Sequence, residues 1–261
     1  MVRAGYAVTS IGVYTGMLWS LARWTKKSPD ELTACDLRGY LHDLRRRHVS
    51  ASWIAQHISL FRLVWDKFQG VHWTSAWRGP KRGRPLPVVL TAGEVAALMA
   101  TARTLSEYLA VSLLYGVGLK TGQLLQLRWS DIDFEEGGIC IRDTGSETRR
   151  WVQLPGSLRS LCEFNRSRIG FSYVLAGRGR GNPMSPRGLT SMIRRLSVQA
   201  GLRIHLTPSM LRDTFIAHAL AQGWTFPRVL TAVGVRNVVA LQRFRSHSET
   251  ATTQQNDDGM A

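Results

Sequence analysis

The chain has 261 residues, of which 44% are hydrophobic, so it can form a packed core and is not a disordered basic tail. Its 34 lysines and arginines exceed its 18 aspartates and glutamates by 16 charges, which favours a polyanionic partner, first of all nucleic acid. Three widely spaced cysteines (Cys35, Cys140 and Cys162) exclude a disulfide scaffold, and no apolar run approaches the ~18 residues of a membrane span.

Residues 1–72 have the pattern of a helical domain. The first helix is expected to begin after Thr9 or Ser10, and its apolar positions have helical spacing: Ile11, Tyr14, Leu18 and Leu21. Polar residues interrupt this apolar run, so we interpret it as a buried helix rather than a signal peptide. A cytoplasmic, nucleoid-associated protein is therefore expected.

Two further helices are predicted in this domain. One begins at Thr33, because Asp36 three residues later completes a variant capping box. Its apolar face consists of Leu37, Tyr40, Leu41 and Leu44. The next begins at Ser50 and carries a stripe of Ile54, Ile58, Phe61 and Trp65. We interpret these aromatic residues as core rather than as base-stacking residues.

Residues 73–88 are predicted to be a basic linker, because their prolines and glycines break regular structure. Four positive charges lie within seven of these residues: Arg78, Lys81, Arg82 and Arg84. The cluster is either a solvated connector or a strap along a phosphate backbone. Its position between two helical regions favours the strap.

Residues 89–245 are predicted to form a second domain. Thr91 and Glu94 form a capping box at its first helix, and helical spacing resumes over 105–127. The apolar period then changes to two, which predicts three short strands, at Ile132 and Phe134, at Ile139 and Ile141, and at Trp151, Val152 and Leu154. Helices follow at 157–166, 185–199, 208–221, 226–233 and 238–245, and a disordered polar tail at 246–261. The predicted fold class is mainly α with a small antiparallel β-sheet.

Three segments of the second domain resemble the tyrosine recombinase (phage integrase) family. The stretch 114–133, LYGVGLKTGQLLQLRWSDID, is similar to the family's first catalytic arginine region. The stretch 206–215, LTPSMLRDTF, resembles its second box, and Val233-Gly234-Val235 followed by Phe244 resembles its last. Residues 10–68 resemble its helical core-binding domain. The resemblance implies two DNA-binding domains, of which the second has the catalytic fold.

The resemblance also implies a phosphoryl transfer that needs no metal or cofactor. In that family a tyrosine hydroxyl attacks a DNA phosphodiester, and two arginines and a histidine stabilise the charge at phosphorus. A lysine on a β-hairpin protonates the leaving 5′-oxygen. No cofactor and no metal ligand is therefore expected in this chain.

Most residues that this chemistry requires are replaced. Lys120 stands at the first arginine, with Gln123 at its usual acidic neighbour, and the hairpin lysine falls at Gly145. Lysine keeps the charge of arginine but loses its bidentate fork. Ser209 stands at the first histidine, while Arg212 retains the second arginine.

The end of the chain departs further from the pattern. Asp213 follows the retained arginine, where histidine is frequent, and Val235 stands at the last histidine or tryptophan. Phe244 stands at the nucleophile and has no oxygen to attack phosphorus. We therefore expect a duplex-DNA-binding protein without cleavage activity, an accessory, architectural or regulatory factor in recombination or integration of a mobile element. The DNA-binding residues are expected to be Lys120, Arg212, Arg78, Lys81, Arg82, Arg84, Arg149 and Arg150.

Several alternatives stay open. An active recombinase could use Ser246, Ser248 or Tyr173 as a substitute nucleophile, and the chain could also be a decaying gene product or an unrelated arginine-rich binder. Arg212 could form a salt bridge with Asp213 or another acid instead of contacting phosphate. Lys120 could be a simple surface residue. Arg149 and Arg150 could form a solvated strand end, and His205 and His218 could have structural roles. Besides duplex DNA, the expected partner is an active tyrosine recombinase or a second copy of the chain, and no membrane.

Overall fold

The computed structural model describes residues 8–80, 86–142, 149–166, 172–177, 181–235, 238 and 241–244. The chain divides into two compact units, Met1–Arg84 and Pro85–Ala261. Within the described ranges the protein is mainly helical, with one small antiparallel sheet, which confirms the predicted fold class. No helix in these ranges combines the length and apolarity needed to cross a membrane.

Residues 8–80 of the first unit contain three α-helices and a wider, π-type helical segment: α1 (Val8–Thr25), α2 (Ala34–Arg46), α3 (Ala51–Phe61) and Arg62–Phe68. The predicted capping box of α2 is confirmed, because the Asp36 amide donates to the Thr33 hydroxyl at 3.3 Å and the Thr33 amide donates to the Asp36 carboxylate at 2.9 Å. The prediction for α1 was wrong, since Thr9 and Ser10 lie inside its first turn rather than before it.

Aromatic packing holds the first unit together. The predicted apolar stripe, which runs from α3 into Arg62–Phe68, is buried at Ile54, Ile58, Phe61 and Trp65. The rings of Phe61 and Trp65 pack edge to face, with 5.5 Å between their centroids. The unit continues beyond the predicted boundary at residue 72, because the fully buried Thr74 bonds to Asp66 through both its amide (3.0 Å) and its hydroxyl (2.8 Å). The turn that carries Thr74 is therefore part of the packed unit.

The second unit contains seven α-helices among its described residues: α4 (Ala92–Ala100), α5 (Leu105–Gly116), α6 (Thr121–Gln126), α7 (Gly156–Arg166), α8 (Pro186–Gln199), α9 (Pro208–Ala221) and α10 (Phe226–Val233). The capping box of Thr91 and Glu94 is confirmed. The predicted continuous helix over 105–127 is wrong. The chain breaks at Gly118, whose φ is +69° and whose missing Cβ would lie 2.5 Å from the Phe215 ring.

The sheet lies between α6 and α7 in the chain and has three antiparallel strands in the order β1 (Ile132–Asp133), β2 (Gly138–Arg142) and β3 (Arg149–Gln153). Ile139 pairs with Val152, and Ile141 pairs with Arg150. The strands were predicted at these places. The turn between β2 and β3, which includes Gly145, lies outside the described residues.

The core of the second unit is largest around α5, whose buried residues include Leu109, Leu113 and Leu114. A second apolar cluster joins α9, α10 and the end of the described chain, and we call it the α9–α10 cluster: Ile216, Ala217, Ala219, Leu220, Val229, Val233, Leu241 and Phe244. The helix predicted at 238–245 lies partly outside the described residues, and of those that are described, Gln242–Phe244 form a short 3₁₀ turn. These contacts fix the position of α10 against α9.

Candidate nucleic-acid interface

The C-terminal end of α10 is the point where several predicted site residues meet. The helix ends at Val233 and is capped by Gly234, whose φ of +64° is the left-handed conformation typical of a helix C-cap. The amide of Val235 donates to the Leu230 carbonyl at 3.1 Å, and the amide of Gly234 donates to the Thr231 carbonyl at 3.3 Å. Three further carbonyls at the helix end, those of residues 232–234, need other partners.

Three cationic side chains from three different elements supply these partners. Arg150 on β3 donates to the Ala232 carbonyl, and Arg212 on α9 donates to the Val233 carbonyl at 2.9 Å. Lys120, which precedes α6, donates to the Gly234 carbonyl at 3.5 Å. Lys120, Arg150 and Arg212 are hereafter the cation cluster. Cations suit this place because the C-terminal end of a helix carries partial negative charge.

Gln123 connects two members of the cation cluster. Its side-chain oxygen accepts a hydrogen bond from the Lys120 amide at 2.9 Å and one from Arg150 at 3.5 Å. The side chain is neutral, so it orients these residues without cancelling their charge. Arg212 is only 8% exposed, whereas Lys120 is open to solvent. The cluster thus presents positive charge from a partly buried, fixed base.

Asp213 follows Arg212 but forms its ion pair elsewhere. Its carboxylate accepts from Arg243 at 2.8 Å, while Arg212 reaches the Val233 carbonyl. Burial raises the pKa of Asp213 above its ordinary value, although the charges of Arg243 and Arg212 oppose the shift. The hydrogen-bonded ion pair of Asp213 is therefore with Arg243, while Arg212, the partner considered from the sequence, acts on Asp213 through its charge.

The residue predicted to stand at the family's nucleophile is buried among apolar side chains. Phe244 is 0% exposed and lies within the α9–α10 cluster, with the Arg243 guanidinium 4.8 Å from its ring centroid. Val235 packs against the same cluster. Ser209 is exposed near the start of α9, where its hydroxyl shares a hydrogen bond of 3.0 Å with Thr207.

The structure does not bring all the predicted DNA-binding residues together. Arg149 is exposed at the start of β3, and Arg78 is exposed on the first unit. Lys81, Arg82, Arg84 and Gly145 lie outside the described residues. Adjacent strand residues face opposite sides of a sheet, so Arg149 and Arg150 differ in direction although both were predicted as one pair.

One basic surface was not predicted from the sequence. Arg38, His42 and Arg45 lie along one side of α2, and with Arg78 they border a groove of about 520 Å³. The Arg38 guanidinium lies 5.6 Å from the ring centroid of Trp77. These four residues (Arg38, His42, Arg45 and Arg78) are hereafter the α2 face. Their signal in the sequence is the spacing of four and then three residues, which places side chains on one side of a helix.

Two of the remaining candidate residues, His218 and Tyr173, have hydrogen-bond partners within the second unit. The Tyr115 hydroxyl and Nδ1 of His218 lie 2.9 Å apart, which joins α5 to α9 and agrees with a structural role for His218. His205 is exposed. The Tyr173 hydroxyl, a candidate substitute nucleophile, accepts from Arg128 at 3.2 Å. In the part of the chain that the structure describes, no three His, Cys, Asp or Glu side chains form a group that could hold a metal ion.

Sequence comparison covers both units. Residues 88–251 match the profile described as the Phage integrase family, and residues 1–75 match the profile "Phage integrase, N-terminal SAM-like domain". Tyrosine recombinase XerC of Xanthomonas campestris pv. campestris (strain B100) is 28% identical over 260 residues, which cover 94% of this chain and 77% of the relative.

Two solved structures illustrate the shared fold. A Tn1549 transposon integrase with a tyrosine changed to phenylalanine, in complex with transposon right end DNA, aligns with a TM-score of 0.69 and 16% identity over 92% of each chain. A lambda integrase tetramer bound to a Holliday junction aligns with a TM-score of 0.72 and 16% identity, over 92% of this chain and 72% of the other.

Proposed function

Because the chain belongs to the phage integrase family, we propose that it binds duplex DNA and holds one backbone phosphate at the cation cluster without cleaving the strand. The observation that carries this proposal is that three cationic side chains gather at the C-terminal end of α10, while the position matched to the nucleophile holds a buried phenylalanine. Fixed cations suit a phosphate, whereas the Phe244 ring offers no oxygen for attack at phosphorus.

The proposal of inactivity also draws on the groups that would assist the reaction. Proton transfer by a positioned acid or base contributes about 10²–10⁴-fold to such reactions. Ser209 replaces the first histidine, and no lysine occurs between residues 141 and 154 to protonate a leaving oxygen. Loss of both the nucleophile and the leaving-group acid leaves binding as the activity that the remaining cluster supports.

The charges of the α2 face extend the proposed DNA contact to the first unit. Exposed arginines neutralise phosphates and release counterions, which supplies affinity that does not depend on base sequence. Arg38 and Arg45 are separated by two helical turns on α2, with Arg78 beside the same groove. Each unit therefore carries its own cationic surface, in agreement with a protein that binds along a duplex.

The structural relatives support a role within recombination complexes. One is a tetramer bound to a Holliday junction, and another, with phenylalanine in place of a tyrosine, is in complex with DNA. For this chain we propose an accessory, architectural or regulatory role in recombination or integration of a mobile element. Its protein partner is an active tyrosine recombinase or a second copy of the chain.

The second candidate function is an active recombinase with a substitute nucleophile. It is favoured by the similarity to tyrosine recombinase XerC across 94% of the chain. The hydroxyl of Tyr173 is engaged by Arg128, while Ser246 and Ser248 lie outside the described residues. A serine would need a nearby base, for which His247 is the local candidate.

Duplex binding tests the proposed function. Fluorescence anisotropy with a labelled duplex of mixed sequence, repeated over a series of salt concentrations, gives affinity and salt dependence. We expect log K to fall linearly with log salt by about 0.9 for each phosphate contacted. Neutralising Arg78, Lys81, Arg82 and Arg84 together is expected to flatten this slope. An absence of duplex binding at physiological salt contradicts the proposal.

A further inference from the structure

The cation cluster depends on close approach between a side chain and a glycine. A Cβ built on Gly234 would lie 2.5 Å from Nε, 3.0 Å from Cδ and 3.2 Å from Cζ of Arg150. We propose that Gly234 is a positioning residue, because its missing side chain leaves room for Arg150 beneath the end of α10. Arg150 then supplies the positive charge that is lost where Gly145 stands at the position of the family's hairpin lysine. This inference rests on the proposed function, because the ligand is the same DNA phosphate.

Arg150 reaches this position from the sheet. Its backbone pairs with Ile141 on β2, so the strand register fixes where the side chain leaves the sheet. The guanidinium then donates to the Ala232 carbonyl on one side and to Gln123 on the other. Contacts on two sides hold the planar fork in one orientation before DNA arrives, which lowers the entropy lost on binding phosphate.

The helix end unites the three cations. Consecutive carbonyls at residues 232, 233 and 234 accept from Arg150, Arg212 and Lys120 respectively. Successive carbonyls at a helix end are close together, so the cationic groups that bind them are gathered as well. Each guanidinium carries five N–H donors, which lets it contact both a carbonyl and a phosphate. The missing side chain of Gly234 thus acts on phosphate through Arg150, while the backbone carbonyl of Gly234 is the partner of Lys120.

A side chain at residue 234 has two separable effects. It displaces Arg150, and it strains a backbone at φ +64°. Gly223, at the end of α9, provides a matched control because its φ is +83° but nothing lies within 4 Å of where its Cβ would be. Gly223→Ala therefore introduces backbone strain alone. Gly234→Asn is a second test variant, since asparagine tolerates the left-handed conformation better than alanine but still carries a Cβ.

The experiment measures duplex binding of the full chain against salt for Gly234→Ala, Gly234→Asn, Arg150→Ala, the double variant Gly234→Ala with Arg150→Ala, and Gly223→Ala. We expect Arg150→Ala and both Gly234 variants each to weaken duplex binding about tenfold. Each should also reduce the slope of log K against log salt by about one, the value of one phosphate contact. The double variant should bind as Arg150→Ala does. Gly223→Ala should keep the wild-type affinity and slope.

The outcomes separate this inference from the proposed function. A wild-type chain that does not bind duplex DNA overturns the function and the positioning role together. If the wild-type chain binds, two outcomes overturn the positioning role alone. One is a loss of affinity in the double variant equal to the product of the two single losses, and the other is a loss in Gly223→Ala as large as that in Gly234→Ala. Urea unfolding of each variant identifies those that are folded, and Gly234→Asn carries the test if Gly234→Ala does not fold.

Discussion

The two sides of α10 are held in different ways. Its apolar side packs into the α9–α10 cluster, where Val229, Val233 and Phe244 are each fully buried. Its C-terminal end is held instead by the cation cluster, through hydrogen bonds to backbone carbonyls. Under the proposed function, the apolar side holds a ring without a reactive oxygen. The polar end supplies the positive charge that would contact a phosphate.

This difference separates the requirements of fold, binding and catalysis. Packing tolerates the loss of a hydroxyl, because a phenylalanine ring fills nearly the same volume as a tyrosine ring. Phosphate binding needs fixed positive charge, which lysine and arginine both supply. Cleavage needs particular atoms, namely an attacking oxygen and a proton donor, and under the proposed function those are the groups that this chain lacks.

The largest effect is expected on the apolar side. Phe244→Ala should lower the free energy of unfolding by about 3–5 kcal/mol, because it leaves a cavity in a closed cluster. Urea unfolding measures the change. Phe244→Tyr should lower it by about 1–3 kcal/mol through burial of a hydroxyl, and it should not restore strand cleavage. A stable, cleaving Phe244→Tyr variant would show that the nucleophile is the only group missing.

The polar end is expected to respond less in stability and more in binding. Arg212→Ala should cost about 1–3 kcal/mol of unfolding free energy, because the Val233 carbonyl loses its charged donor. Duplex affinity should also fall about tenfold or more. Arg194→Ala, at an exposed position on α8, is the control and should stay within about 0.5 kcal/mol. Equal effects from both variants would remove the distinction between the cluster and ordinary surface arginines.

The α2 face tests whether charge at the surface behaves differently from the cation cluster. Replacing Arg38, His42 and Arg45 by alanine should leave the unfolding free energy nearly unchanged, because these side chains lie at the surface of α2 rather than in its core. The salt slope of duplex binding should fall by about 1.8, which corresponds to two lost arginine contacts. Anisotropy titrations over a salt series measure it. A slope equal to the wild-type value would assign the α2 face no contact with DNA.

The smallest effect is expected at Asp213. Because burial raises the pKa of this carboxyl, its protonated form contributes stability that is present below pH 3.8 and lost as pH rises through the folded pKa. Asp213→Asn should therefore flatten the fall in stability that occurs as the pH rises from 3.8 through the folded pKa of Asp213. Urea unfolding at a series of pH values measures this change. It should also tighten duplex binding by up to about fivefold, since a negative charge beside Arg212 is removed. Weaker binding would indicate that the ion pair with Arg243 positions Arg212.

Local sequence signals predicted the start of several helices. The boxes at Thr33 and Thr91 and the cap at Ser50 depend on residues three positions apart, so neighbouring residues were sufficient. The helix break at Gly118 was missed because it depends on the ring of Phe215, which lies on α9, far along the chain from Gly118. Propensity along a helix carries no information about such a distant contact.

The candidate site was predicted only in part, because some of its features depend on contacts between residues far apart in the chain. Lys120 and Arg212 were identified from residues that match the family's boxes. The inward direction of Arg150 was not, because strand alternation shows that Arg149 and Arg150 face opposite sides but not which side meets α10. The α2 face was accessible to sequence reasoning through its helical spacing. Distinguishing it from an ordinary solvated face needed the groove beside Trp77 and Arg78.

The central claim is that this chain binds DNA and does not cut it. The most direct measurement incubates the full chain with duplexes of randomised sequence that carry nicks at varied positions. Cleavage near a nick releases a short DNA fragment, so religation is prevented and a covalent protein–DNA intermediate accumulates. Denaturing gels then detect protein attached to DNA. We predict no covalent adduct under conditions where the same chain binds these duplexes. A covalent adduct, mapped to any serine or tyrosine, would contradict the claim and establish the chain as an active recombinase.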